Sequence, residues 1–344
     1  MAIEKKWIVN EQGNPMTVSK LAEELKIDRV LATLLVQRGI TSFQEAKTFF
    51  RPDLNLLHDP FLMKDMDKAV KRLGEAIMAQ EKILIYGDYD VDGTTAVALM
   101  YTFLKKFDAN IDYYIPNRYD EGYGISNKGI DWGYKNGFTL IIALDCGIKA
   151  VEKVKYAASK GMDFIICDHH LPDDVLPPAV AVLDPKRSDD HYPFDELAGC
   201  GVGFKLVQAY AQAHDIPMEE VFEFLDLVSV SIASDLVSIT GENRILAYYG
   251  LKKLNDHPSK GLLSIIKLSG LENHVITIDD VVFKIGPRIN AAGRMEEGRT
   301  AVDLLVCRND EEAKSIGAAI NEHNDERKNI DREITLEAVN AVRA

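Results

Sequence analysis

The sequence predicts an α/β fold: an open, parallel, Rossmann-like sheet flanked by helices, followed by a mostly helical region and a terminal connecting helix. Two observations carry this. Between residues 82 and 185, short β-rich runs alternate with helical stretches, the order that builds a parallel sheet. Three of those runs, Ile83-Leu84-Ile85-Tyr86, Leu140-Ile141-Ile142-Ala143-Leu144 and Phe164-Ile165-Ile166-Cys167, are continuously apolar, as strands buried on both faces must be.

In chain order, residues 17 to 50 read as short helices. The clearest opens at Ser42-Phe43-Gln44-Glu45, where serine and glutamate satisfy each other's terminal amides. Arg51-Pro52-Asp53 and His58-Asp59-Pro60 punctuate the next stretch, and Met66 to Gln80 is a helix leading into the sheet. Strands are expected at 82–86, 111–115, 139–144, 163–167 and 180–183. Beyond Pro185, helices are expected at Gly199–Ala213, Met218–Ser234 and within Leu246–Gly270. Phe283 to Arg294 reads as a glycine-punctuated loop, and Asp310 to Ala344 as a charged helix without a glycine or proline stop. The expected organisation is a helical entry segment (1–80), a main domain (81–308; sheet part 81–185, helical part 186–308) and a charged connecting helix (309–344) leading to a further domain.

The composition, 47% apolar and 27% charged, is that of an ordinary folded chain. A net charge of −14 argues against a broad DNA-coating surface, because such binding depends on Lys and Arg displacing counterions. Cys146, Cys167, Cys200 and Cys307 are widely spaced, so neither a disulfide framework nor a zinc knuckle is indicated. No stretch approaches the ~20 apolar residues of a membrane span, and the amino terminus lacks a signal-peptide core. A cytoplasmic protein with no membrane partner is expected.

The chemistry lies where the strands end. The first run leads into Gly87-Asp88-Tyr89-Asp90-Val91-Asp92-Gly93, the third stops on Asp145, and the fourth on Asp168-His169-His170. In an open α/β sheet these positions converge on one edge. Asp88 to Gly93 fits the first half of an EF-hand loop, but the twelfth position is Leu99 and the preceding flank is strand-like. Asp90-Val91-Asp92-Gly93-Thr94 also resembles an aspartyl-phosphatase motif, which leaves the histidine pair unexplained. A solvated cap for a helix starting near Thr94 accommodates one aspartate easily. Three crowd like charges unless cations lie among them.

Two divalent ions ~3.5 to 4 Å apart, sharing a carboxylate, would serve in-line attack at phosphorus. Asp145 is the candidate bridge. Mixed carboxylate and imidazole donors suit Mn²⁺ better than a pure Mg²⁺ site would. Adjacent side chains diverge, so one histidine of the pair is expected on metal and the other toward substrate. Asp235 reads from periodicity only as a polar residue near a helix end. Arg118, Arg288, Arg294 and Arg299 read either as phosphate grips or as surface ion pairs. Cys146 and Cys167 read as core.

These ordered motifs, with Asn117-Arg118-Tyr119-Asp120-Glu121-Gly122-Tyr123-Gly124, Ala233-Ser234-Asp235 and Arg288-Ile289-Asn290-Ala291-Ala292-Gly293-Arg294, resemble the DHH phosphoesterase superfamily, within it the single-strand-specific exonucleases. The resemblance implies metal ligation by Asp90, Asp92, Asp145, His169 and Asp235, with Asp88 in or beside that shell. It implies His170 at the scissile phosphate, and Arg118, Arg288, Asn290 and Arg294 on the substrate. Two Mn²⁺ ions are the implied cofactor, with Mg²⁺ as the alternative. The implied activity is 5′-to-3′ release of mononucleotides from single-stranded DNA in repair and recombination. The substrate would carry a 5′ phosphate, and a monomer would work with a single-strand-binding protein and a helicase. Tyr86 departs from the family, standing where many relatives carry a ligating histidine. The chain also stops before the second α/β domain and oligonucleotide-binding barrel of longer relatives, as a catalytic core would. Small-substrate phosphodiesterases acting on oligoribonucleotides, cyclic dinucleotides or pyrophosphate, and non-catalytic scaffolds of the same fold, are the competing expectations.

Overall fold

A computed structural model describes residues 6, 8, 10, 11, 13–295 and 298–343, with the side chains of Arg294, Met295 and Arg343 outside the description. The chain divides into two compact units, residues 1–57 and 58–344.

The first unit holds α1 (Pro15–Leu25), α2 (Arg29–Val36) and α3 (Phe43–Phe50) around a small core of Val18, Leu21, Ala32, Leu35, Ile40 and Ala46. The capping box at α3 forms: Ser42 Oγ accepts from Glu45 N at 3.2 Å, and Glu45 Oε2 accepts from Ser42 N at 3.0 Å.

In the second unit, α4 (Met66–Met78) leads into a five-stranded parallel sheet of order β2-β1-β3-β4-β5. The strands are β1 (Ile83–Gly87), β2 (Ile111–Tyr114), β3 (Leu140–Leu144), β4 (Asp163–Cys167) and β5 (Ala181–Leu183). Every residue of β1 and β3 is buried, which is why the sequence there shows no alternation. The connecting helices are α5 (Val91–Leu104), α6 (Asn127–Lys135) and α7 (Val151–Ser159). This strand order reverses direction between β1 and β3, and the crevice at such a reversal is where open sheets bind ligands.

The helical region after the sheet comprises α8 (Gly199–Ala213), α9 (Met218–Phe222), α10 (Leu225–Ser234), α11 (Gly241–Asp256) and α12 (Lys260–Leu268). It continues as α13 (Ile278–Asp280), α14 (Gly286–Met295), α15 (Arg299–Val306) and α16 (Asp310–Arg343).

Four boundaries differ from the sequence expectations. The helix after the acidic loop starts at Val91 rather than near Thr94, because the Asp90 side chain caps it by accepting from Gly93 N. Met218–Ser234 is two helices, parted at Glu223 and Phe224, and the Leu246–Gly270 region is parted at His257 and Pro258. The expected loop at 283–294 is helical, a π turn over Val281–Ile285 running into α14. Pro287 follows the π turn directly within one continuous helical run, the kind of local widening that accommodates a missing N–H, and Gly286 sits where a Cβ would press on Ser234 Oγ. The glycine here serves packing and the proline is accommodated at the π turn, so they mislead as loop signals.

Candidate metal centre

β1 delivers the first carboxylates. Gly87 lies so close to the Val97 side chain, and Gly93 to the Asp88 backbone, that a Cβ at either would overlap them. The tight turn that results places Asp88 fully buried at the strand end, with Asp90 capping α5 and Asp92 in its first turn. Asp88 Oδ1 accepts from Gly124 N at 3.2 Å, while its Oδ2 has no hydrogen-bond partner. Burial, then the Asp90 charge, pushes the Asp88 carboxyl up to about 7. The same two causes, with Asp92 as the neighbouring charge, raise Asp90.

Asp92 reaches across to the opening of α8. Its oxygens accept from Gly199 N, Cys200 N and Ser231 Oγ, each at 2.7 Å. These amides lack partners within α8, so Asp92 completes a helix N-terminus while facing the crevice. Gly199 is required, since a Cβ there would overlap the Asp145 carboxylate.

Asp145, just past β3, adopts a left-handed conformation with φ +59°, an uncommon position for a non-glycine residue. Its side chain is buried, Oδ1 has no partner, and burial among Asp92, Asp90, Asp168 and Asp235 pushes its carboxyl well above the ordinary range. Asp235 ends α10 as its C-cap, where the helix dipole already disfavours negative charge. Burial and the neighbouring Asp92 and Asp90 raise it to about 7.

Three of these carboxylates, those of Asp92, Asp145 and Asp235, meet at His169. Its Nε2 lies 3.3 Å from Asp145 Oδ1, 3.6 Å from Asp235 Oδ2 and 3.7 Å from Asp92 Oδ2. Its Nδ1 lies 3.0 Å from the Leu197 carbonyl oxygen, which can only accept, so Nδ1 carries the proton and Nε2 presents a lone pair. Burial lowers the His169 pKa, favouring that neutral form. His169 Nε2 is buried without a hydrogen-bond partner, like Asp145 Oδ1 and Asp88 Oδ2. Buried acceptors with no donor, set among like charges, fit a hard or borderline divalent cation. The ligand atoms of Asp92, His169 and Asp235 lie within 4.8 Å of one another, as do those of Asp145, His169 and His170.

Asp168 plays a different part. Its Oδ1 accepts from the amides of His169 and His170 and from His170 Nδ1, and its Oδ2 accepts from Ile148 N. Burial pushes its carboxyl up, but the His170 ring and the amide donors outweigh this and hold it below the ordinary value. His170 is held on both sides. Its Nδ1 lies 2.7 Å from Asp168, and its Nε2 lies 3.2 Å from the hydroxyl of Tyr123. Tyr123 gives its one proton to the Asp145 carbonyl at 3.2 Å, so His170 Nε2 is the donor between them. Both ring nitrogens then donate, the arrangement of an imidazolium. The Asp168 hydrogen bond raises the His170 pKa accordingly.

A cleft of about 770 Å³ opens beside His170, lined by residues that include Tyr123, Ile148, Lys149, Lys153 and Lys186. On the rim, the Arg118 guanidinium lies 5.0 Å from the Tyr89 ring centroid, and Tyr89 meets Tyr123 edge-on at 6.3 Å. Arg288 is placed otherwise: its guanidinium donates to Asn321 Oδ1, Lys284 O and Leu268 O, tying α14 to α16 and α12. Asn290 Oδ1 is buried without a partner. The Arg294 side chain lies outside the described residues. Arg299 packs on the Tyr113 ring and bonds Asp112. Cys146 and Cys167 are fully buried thiols whose pKa values burial raises. Tyr86 is buried too: its hydroxyl donates to the Gly124 carbonyl and accepts from Ser126 N, so it supports the loop that carries Tyr123.

Sequence reasoning missed Asp184. It follows β5 directly, is fully buried, has a partnerless Oδ2, and is raised by burial to about 7. The signal was present, because Val182-Leu183-Asp184 repeats the pattern of an apolar run ending in aspartate. Tyr123 gave no signal beyond its place in the 117–124 motif.

Residues 82–232 match the model of the DHH family, N-terminal domain. Along nearly its whole length the chain is similar to the single-stranded-DNA-specific exonuclease RecJ of Bacillus subtilis, with 40% identity over 99% of this chain and 43% of that protein. The Escherichia coli RecJ is 32% identical over 90% of this chain and 55% of its own length. Among solved structures, RecJ of Thermus thermophilus in complex with Mn²⁺ superposes with a TM-score of 0.81 at 25% identity, over 95% of this chain and 46% of that one. The chain thus spans about half the length of the curated relatives it matches. Among the described residues, no helix is long and apolar enough to cross a membrane.

Proposed function

We propose that this chain carries the catalytic site of a metal-dependent single-stranded-DNA exonuclease, with residues 81–308 as the catalytic domain. The observation that supports this most is the pair of partnerless buried acceptors Asp145 Oδ1 and His169 Nε2, 3.3 Å apart past the ends of β3 and β4, with Asp88 Oδ2 likewise partnerless past the end of β1. Relatives named as single-stranded-DNA-specific exonucleases, and a similar structure in complex with Mn²⁺, support the substrate class and the metal.

In this reading Asp88, Asp90, Asp92, Asp145, His169 and Asp235 would hold two Mn²⁺ ions, or Mg²⁺ in their place. Bound cations supply positive charge against the phosphate oxygens and activate the attacking water. The remaining work falls to side chains. Asp92 fixes the α8 N-terminus, so the carboxylates from separate strands keep their spacing. Asp168 holds the His170 ring by Nδ1, leaving Nε2 as a proton donor toward a non-bridging or leaving phosphate oxygen. Tyr123 positions that nitrogen until substrate replaces it. Arg118 and Asn290 hold the strand, while Arg288 braces the helices. The strand enters with its 5′ phosphate first, and the enzyme acts as a monomer with a single-strand-binding protein and a helicase.

The test is digestion of end-labelled single-stranded DNA with Mn²⁺, set beside dinucleotides and pyrophosphate. Release of the 5′ label first, as mononucleotide, is expected. Release from the 3′ end or internal cutting would overturn the polarity, and preferential turnover of dinucleotides or pyrophosphate would overturn the substrate class.

A further inference from the structure

The second half of α16 departs from what a packed helix requires. Its buried positions begin with Ala313, Gly317 and Ile320, and then continue into Asn324 and the half-buried Arg327. Polar residues on an inward helical stripe need a reason other than core packing. Asn324 is fully buried, and its Oδ1 accepts from Arg327 Nη2 at 3.3 Å, while Arg327 Nη1 donates to Asp331 at 3.0 Å. An ordinary helix-surface ion pair would account for those two nitrogens. It leaves Arg327 Nε buried and without a partner.

A cavity of about 230 Å³ lies at this point, lined by Val91, Ser234, Val282, Gly286, Pro287, Asn290, Ala291 and Arg327. Ser234 Oγ and Asn290 Oδ1 are likewise buried without partners, so three lining residues each contribute a buried polar atom that nothing in the fold satisfies. Such atoms are costly unless a ligand completes them. Arg327 is the only charged residue among the described residues of this lining, and the cavity touches Val91 at the positive N-terminal end of the 14-residue α5. Arg327 Nε only donates and Ser234 Oγ can donate, and the Asn290 amide, which accepts through Oδ1 as it stands, offers Nδ2 once turned about its last bond, so together they suit an anionic group with several acceptors. Its size is bounded as well, because the cavity is smaller than the ~300 to 1,000 Å³ of sites that hold whole small molecules. A single phosphate with part of its sugar fits this description.

Position decides which phosphate. Val91 lies between Asp90 and Asp92, and Ser234 immediately precedes Asp235, so the cavity adjoins the acidic centre through two of its carriers. We propose that Ser234, Asn290 and Arg327 form a subsite for a phosphodiester of the DNA strand next to the one being cut, with Arg327 as its charge. The subsite rests on the chain being a phosphodiesterase that acts on single-stranded DNA. It also makes α16 part of the substrate site, where the sequence suggested only a connector. Guanidinium geometry suits the task, since Nε remains free to donate while Asn324 and Asp331 fix the plane.

The test uses the full chain with oligonucleotides in which one phosphate at a time is replaced by a neutral methylphosphonate. In the wild-type protein, replacement at one position beside the scissile phosphate should lower Mn²⁺-dependent kcat/KM about ten- to a hundredfold, as loss of a charged hydrogen bond does. Arg327→Gln, which keeps a polar side chain without the charge, should cause a similar loss on unmodified DNA and make that same replacement silent. Arg327→Lys should recover part of the rate. If the losses from Arg327→Gln and from the replacement multiply at every position, Arg327 acts through the fold and the subsite is wrong. Equilibrium binding of the same DNA without metal gives a second readout. The slope of log affinity against log salt should fall by about 0.7 in Arg327→Gln, one phosphate contact on a single strand, and an unchanged slope would count against the subsite. Wild-type protein that binds DNA but never hydrolyses it would sink the phosphodiesterase reading instead, with the binding slope still deciding the subsite.

Discussion

The second unit gathers two groups of charged side chains, and they are built on opposite rules. Lys205 and Glu242 are both completely buried and lie 2.6 Å apart. Lys205 Nζ also donates to His58 O and Gln208 Oε1, and Glu242 accepts from His58 N and the Tyr192 hydroxyl. Opposite charges meet and each has its partners. At the sheet edge, Asp88, Asp90, Asp92, Asp145 and Asp235 bring like charges together, with burial raising four of them and acceptors left without donors. The first group is complete as folded and the second is complete only with something added. That difference, more than burial or charge alone, separates a structural ion pair from a site.

The two groups should part most widely at Asp145. Asp145→Asn should lower Mn²⁺-dependent hydrolysis on the order of 10³-fold, since metal-assisted charge stabilisation is worth several kcal/mol. Melting temperatures provide the contrast. Mn²⁺ should raise the melting point of the wild-type protein and leave Asp145→Asn nearly unmoved. In chelator, the sign reverses: a carboxyl whose folded pKa is raised costs stability above its unfolded pKa, so at neutral pH the variant should melt higher than wild type. Unchanged hydrolysis, or a variant that melts lower in chelator, would place Asp145 with the structural charges.

Glu242→Gln should do the converse. It leaves the Lys205 ammonium buried without its counter-charge, and breaking one partner of such a pair costs about 3 to 5 kcal/mol. Urea unfolding should report that loss, while kcat measured on the folded protein at low temperature stays within about twofold, because nothing in this network touches the carboxylates and histidines of the crevice. A large fall in kcat at full stability would show that the pair belongs to the site.

The two groups were not equally legible in the sequence. The acidic centre could be read because strand ends advertise themselves: an apolar run stopping on aspartate recurs after β1, β3 and β4, and parallel topology gathers such ends on one edge. Asp184 carries the same signature and was overlooked, whereas Asp235 looked like a polar helix end until the resemblance gave it a role. Lys205 and Glu242 could not be read at all. They are 37 positions apart on α8 and α11, and their pairing exists only once those helices pack. The same limit applies to the 283–294 segment. Gly286 and Pro287 signal a loop locally, and only the approach of Ser234 explains why the glycine is there.

Asp168 stands between the two groups and gives the smallest effect. It lies within the acidic cluster, yet both its oxygens are satisfied, like those of Glu242. Asp168→Asn replaces one acceptor oxygen by an amide donor, setting N–H against N–H either at Ile148 or at the histidine amides. That should cost about 1 to 3 kcal/mol of stability. If Asp168 also orients His170, hydrolysis should fall about 10- to 100-fold, the usual effect of losing a residue that aims a site side chain. Calorimetry and Mn²⁺-dependent rates on one preparation decide the matter. A stability loss with full activity would make Asp168 a satisfied structural charge that happens to lie beside the site. A loss in both makes it the link by which the satisfied kind of buried charge holds the unsatisfied kind in place.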